Sequence, residues 1–171
     1  EVDSESALEL RDDLDILELD SFSHSKEHSI EVQVPMLQET FSHEMKILPV
    51  SLINQEQKTA TKVGSAIAKI AQKKDALLIG SSDFTHYEEN EFAHRQDLAL
   101  IDPILKLDVD EFYKILYERH VTACGFGAIA STMIACKELG ATEGKLLKYA
   151  TSGDVSGDKS SVVGYASIIF V

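Results

Sequence analysis

The sequence predicts an α/β fold of three layers, α/β/α, with helices on both faces of a central sheet that is mostly parallel or mixed. Three observations carry that expectation. Helical and extended patterns alternate along the whole chain. The run Ala76-Leu77-Leu78-Ile79-Gly80 is short, apolar and glycine-bounded, as in a strand buried on both faces. A length of 171 residues, 44% hydrophobic and 26% charged, suits one domain with a sizeable core.

Residues 4–12 read as a short helix and residues 16–19 as a strand. Across residues 27–41, Ile30, Val34, Leu37 and Phe41 form an apolar helical stripe, in which Pro35 should kink or end the helix locally. Residues 45–53 are strand-like, with Ile47, Leu48, Val50 and Ile53 apolar. Residues 55–72 put Val63, Ala66, Ile67 and Ile70 on one helical face, and residues 76–81 form the buried strand. Two helices follow over 89–105 and 108–119, the second capped by Asp108 with Glu111 three residues on. A mostly apolar helix over 123–139 ends at Gly140, and closing strands over 145–150 and 162–171 flank a polar loop at 151–161. No repeat, low-complexity linker or domain boundary interrupts residues 1–171.

The net charge of −13 argues against a nucleic-acid or anionic-membrane surface, because phosphates would be repelled. No apolar stretch is long enough to span a bilayer. Cys124 and Cys136 form no CxxC pair and lie too far apart on one helix for a mutual disulfide, which points to a reducing, cytoplasmic setting. The chain opens Glu1-Val2-Asp3 without Met or a targeting pattern, so a processed or truncated product is the expectation.

The buried strand stops abruptly in Ser81-Ser82-Asp83-Phe84-Thr85-His86. Three hydroxyls, a carboxylate and an imidazole at a strand's carboxyl end have the composition of a reaction site, since ligands of open α/β sheets bind there. Ser and Asp also favour caps and turns, so a capped turn with a surface histidine explains the same residues. In Glu27-His28-Ser29-Ile30-Glu31, His28 and Glu31 share one side of a helix and are metal-ligand types, but acidic residues at a helix start need no metal. Cys124, just before Gly125-Phe126-Gly127, sits where a helix N-terminus would favour the thiolate; a small buried residue is the bland alternative. Asp154 and Asp158 do not complete a calcium loop and suit a mobile lid, and Ser81-Ser82 is no nucleophile elbow.

Together these segments resemble the Memo family. The matching pieces are Glu27 to Glu31 with Pro35, Ser81 to His86, Cys124-Gly125, Tyr149 through Ser152, and Val163-Gly164-Tyr165-Ala166, in the family's order across nearly the whole chain. Prokaryotic members are often named as component B of a system that also involves an AMMECR-type and a radical-SAM protein. The family is similar in fold to class III extradiol dioxygenases, which hold non-haem Fe(II) with two His and a carboxylate. The resemblance implies that His28 is a metal ligand, that Cys124 stands where the carboxylate ligand would be, and that His86 is the acid/base histidine with Asp83 beside it. It implies Fe(II) or copper, and metal-dependent redox chemistry. The alternative is a non-catalytic adaptor that binds a small molecule or peptide in the same pocket. Phosphopeptides suit it poorly, since Arg occurs only at 11, 95 and 119. The family's His-Ala-Gly-Tyr motif, which carries another ligand, does not occur here. The resemblance therefore makes residues 1–171 the C-terminal portion of a longer Memo-like domain, completed by an N-terminal segment or a separate chain.

Overall fold

Helix α3 (Gln57–Lys74) is rich in alanine, and the residues it buries include Ala60, Val63, Gly64, Ala66, Ala68, Ile70 and Ala71. So small a face lets another helix approach closely. In the computed structural model, which describes residues 1–171, that partner is α6 (Phe126–Glu138). A Cβ on Gly64 would lie 2.6 Å from the Ser131 carbonyl oxygen, and the Ser131 hydroxyl donates to the Ala60 carbonyl at 3.2 Å. Asp75 ends α3 in the left-handed conformation, φ 52°.

The other helices are α1 (Ser4–Asp13), α2 (Val34–Thr40), α4 (Asn90–Leu105), α5 (Val109–Glu118) and the short α7 (Gly153–Ser156). Two apolar clusters form between elements. Leu10 and Leu14 meet Val63, Ala66 and Ile70, fastening α1 to α3. The larger cluster joins Leu100, Ile101, Ile104, Phe112, Leu116 and Met133 from α4, α5 and α6 with Phe84. Sheet residues Leu146, Tyr149, Ala166, Ile168 and Phe170 pack on it.

One antiparallel sheet is formed, in the order β1-β3-β2, from β1 (His86–Glu88), β2 (Gly144–Thr151) and β3 (Val162–Phe170). The chain is thus mixed α/β with seven helices and a small antiparallel sheet. The strands expected at 16–19, 45–53 and 76–81 are not formed; the parallel pairing seen is the isolated Val2–Ile47 bridge. The physical reason is the missing ladder. Residues 77–80 take no regular secondary structure and make no backbone hydrogen bond, and Leu77 is 71% exposed instead of buried on both faces. An apolar cleft of about 690 Å³ and another of about 700 Å³ flank this segment.

The helix expected over 27–41 is shorter. Glu31–Gln33 make a 3-10 turn and α2 begins at Val34, with Pro35 in its first turn, where the absent N–H leaves no bond unmade. β1 was not foreseen, because three residues carry too little pattern. The polar loop at 151–161 contains α7, closed by Gly157 at φ 79°.

Candidate functional site

Residues 82–86 run from the unpaired segment into β1, and each is fixed by the backbone around it. Phe84 N–H donates to the Gly164 carbonyl at 2.9 Å, and Gly164 N–H returns a 2.9 Å bond to the Thr85 carbonyl. Thr85 is buried, and both its N–H and its hydroxyl donate to Asp97, at 3.0 and 2.6 Å. His86 N–H donates to the Thr122 hydroxyl at 2.8 Å, and its Nδ1 lies 2.7 Å from the Thr122 carbonyl. A carbonyl only accepts, so Nδ1 carries the proton and neutral His86 presents a bare lone pair on Nε2.

That nitrogen faces Asp83, with Nε2 and Oδ2 3.7 Å apart. The Cys124 sulfur closes the group. Asp83 N–H donates to Sγ at 3.3 Å, and the Ser82 hydroxyl lies 3.8 Å from it. One ligating atom from each of Asp83, His86 and Cys124 lies within 4.8 Å of the other two. Cys124 is exposed; Asp83 and His86 are half-buried.

The turn carrying Cys124 is clamped by Gln55. Its amide nitrogen donates to the Cys124 carbonyl at 2.9 Å, and its amide oxygen accepts from Gly127 N–H at 2.8 Å. The Tyr113 hydroxyl in turn holds the Gln55 carbonyl at 2.7 Å. Both glycines serve close backbone approach. A Cβ on Gly125 would lie 2.7 Å from the Ser81 carbonyl, and one on Gly127 would lie 2.8 Å from the Gln55 Cβ.

At the rim, Tyr87 is 77% exposed and left-handed, φ 60°, where the β1–β3 register shifts around it. Such bulges re-aim side chains beside functional sites. Burial pushes the Tyr165 hydroxyl pKa up, and the negative charge of Asp83 adds to the effect.

Of the residues singled out from sequence, Asp83, His86 and Cys124 converge, while His28 lies outside that three-residue group. Its segment touches the site's first serine: the Ser81 hydroxyl donates to the Ser29 carbonyl at 2.8 Å and accepts from Gln33 at 3.2 Å. Glu27 caps that turn, accepting from Ser29 and Ile30 N–H at 2.7 and 3.1 Å. Burial raises its pKa, and these hydrogen bonds outweigh the effect, leaving a net lowering. Gln55, Asp97 and Thr122 escaped sequence reasoning. Only Asp97 left a signal, a carboxylate on the same helical stripe as Ala93, Leu100, Ile101 and Ile104.

The sequence profile of the Memo-like protein family matches residues 1–169. This chain belongs to the Memo family. A MEMO1 family protein of Nitrosopumilus maritimus is 58% identical over the whole of this chain and 62% of its own length. One from Methanosarcina acetivorans is 50% identical over 90% of this chain and 58% of its own. The Memo chain described here therefore spans about three-fifths of the length of the curated relatives it matches. No helix in it is long and apolar enough to cross a membrane.

The donor set suits a transition-metal ion: a soft sulfur, a borderline imidazole nitrogen and a hard carboxylate oxygen. Neighbouring ligand atoms around a tetrahedral ion lie about 3.6 Å apart. The group, open to 4.8 Å, would contract by about 1 Å to hold one, well within the rotamer reach of an exposed cysteine.

Proposed function

We propose that this Memo-family chain binds Fe(II) or copper through Cys124, His86 and Asp83 and takes part in metal-dependent redox chemistry. The observation that carries the reading is the convergence of three different ligand types within 4.8 Å, on loops pinned by Thr122, Gln55 and Asp97. A bound metal would supply the redox function. The chain's residues would hold it, with the His86 Nδ1 proton directed at the Thr122 carbonyl so that Nε2 is free to ligate. Family membership supports a three-layer, dioxygenase-like fold for the longer protein. The further ligand histidine expected from the family resemblance would come from the length this chain does not span. His28, the ligand expected from the family resemblance, lies outside the three-residue group, on the segment whose Ser29 and Gln33 hold Ser81.

Metal analysis of anaerobically purified protein, followed by titration with Fe(II) and Cu(I), tests the reading. Near-stoichiometric binding that drops by about tenfold or more in Cys124→Ala and His86→Ala supports it. Equal binding in both variants would sink it.

A second reading, a peptide-binding adaptor using the same pocket, draws on the exposed aromatic rim of Tyr87 and Tyr165. It expects ligand retention that survives Cys124→Ala.

A further inference from the structure

Asp97 is the one fully buried carboxylate, 0% exposed, and no lysine, arginine or histidine forms an ion pair with it. An unpaired buried charge is expensive unless hydrogen bonds replace its water. Three do so here. Oδ1 accepts from the N–H and hydroxyl of Thr85, and Oδ2 accepts from the Tyr149 hydroxyl at 2.7 Å. An ionised carboxylate can only accept, so every proton in this knot points at Asp97. The surrounding chain is shaped to admit it: a Cβ on Gly164 would meet Oδ2 at 1.9 Å. Gly164 is also the residue whose backbone pairs with Phe84 and Thr85.

Thr85 lies between Asp83 and His86. We propose that Asp97 is a positioning residue: by fixing Thr85 from both its N–H and its hydroxyl, it sets the direction in which Asp83 and His86 face Cys124. It touches none of the three itself. The inference rests on the reading of that group as a metal site, and it adds a control point within helix α4. The essential property is an acceptor aimed at Thr85. An asparagine could keep that acceptor and turn its N–H toward the Tyr149 oxygen, whereas a leucine of similar size offers none.

Cobalt(II) serves as the probe, titrated anaerobically into the full chain and read by its thiolate charge-transfer absorption. Asp97→Leu should lower affinity by about tenfold or more, Asp97→Asn should restore most of it, and Tyr149→Phe should leave it unchanged although it frees Oδ2. Equal losses in the Leu and Asn variants would mean that charge matters and not position, which overturns the proposal. So would unchanged affinity in a folded Asp97→Leu. Should that variant not fold, Thr85→Val decides, because it deletes only the hydroxyl donor. Reduced affinity and a shifted His86 Nδ1–H proton resonance are then expected, and wild-type values for both would overturn the proposal. That resonance and the rate of Cys124 alkylation, measured in a Cys136→Ala background, need no metal. If wild-type protein bound no cobalt, the metal reading would fall, while a Thr85→Val change in these two signals would still support the positioning role.

Discussion

Tyr87 holds a left-handed backbone, φ 60°, that a bulky side chain adopts at a penalty of about 1–2 kcal/mol. Its ring is largely in solvent and makes one edge contact with His86, at a centroid separation of 5.8 Å. An exposed aromatic contact is worth about 0.5–1 kcal/mol, so backbone relief should win over the lost contact. Tyr87→Gly is expected to raise the unfolding free energy by about 0.5–1 kcal/mol, measured by chemical denaturation. A lower value would mean that the ring on His86 outweighs the strain. At this scale the residues that come together were legible, since Asp83, His86 and Cys124 stand out by type and by their neighbours. His28, read with Glu31 as a ligand pair, lies outside that group, and the neighbouring Glu27 caps its turn. Asp97 and Gln55 act through folds of the chain that bring residues far apart in sequence together, and no local pattern records that.

Helix α4 begins with a carboxylate cap: Glu89 accepts from Glu91 and Phe92 N–H, both at 3.1 Å. These bonds, Glu91 first, hold the Glu89 pKa below its ordinary value of 4.5. A depressed folded-state pKa gives stability that is present above 4.5 and is lost as pH falls through the lowered value. Glu89→Gln should therefore lower stability by a constant amount at pH values well above that range and flatten the acid limb, the two proteins converging as pH falls. Thermal unfolding across pH checks this, and an unchanged acid limb would refute it. The α3–α6 contact yields a second expectation. Alanine in place of a helical glycine usually gains about 1 kcal/mol, but at Gly64 the new Cβ would lie 2.6 Å from the Ser131 carbonyl and 2.9 Å from the Ile134 Cβ. Overpacking of that kind costs about 1–3 kcal/mol, so Gly64→Ala should destabilise. A rise in melting temperature would show that the helices separate freely. Helices were legible because both their periodicity and their caps are local: the segment expected at 108–119 is Val109–Glu118, with Asp108 accepting from Glu111 N–H. Strands were legible where a partner exists, since the segments expected at 145–150 and 162–171 are Gly144–Thr151 and Val162–Phe170, paired with each other; those at 16–19, 45–53 and 76–81 find no partner to supply a ladder.

On the scale of the whole molecule, α1 and α3 are laced by the exposed pairs Lys74–Glu5, Lys73–Glu9 and Lys69–Asp13, and Lys62–Asp15 ties the turn after α1 to α3. Exposed pairs are each worth only about 0–1 kcal/mol, so the Leu10–Ile70 cluster beneath carries that junction. The resemblance to a family was readable across the chain, while the mostly parallel or mixed sheet expected from the alternation of elements is here a small antiparallel one; the segment at 77–80 shows why, since its backbone has no neighbour. That bare segment governs how the isolated chain behaves in bulk. Its N–H and C=O groups remain free to pair with any other extended chain, while the net charge of −13 keeps copies apart. Salt shortens the reach of that repulsion to about 8 Å near 0.15 M, without weakening a β-ladder. Colloidal stability should therefore fall as salt is added, with light scattering growing with both protein and salt concentration. Leu77→Lys, which places a charge on the exposed edge, should suppress that growth.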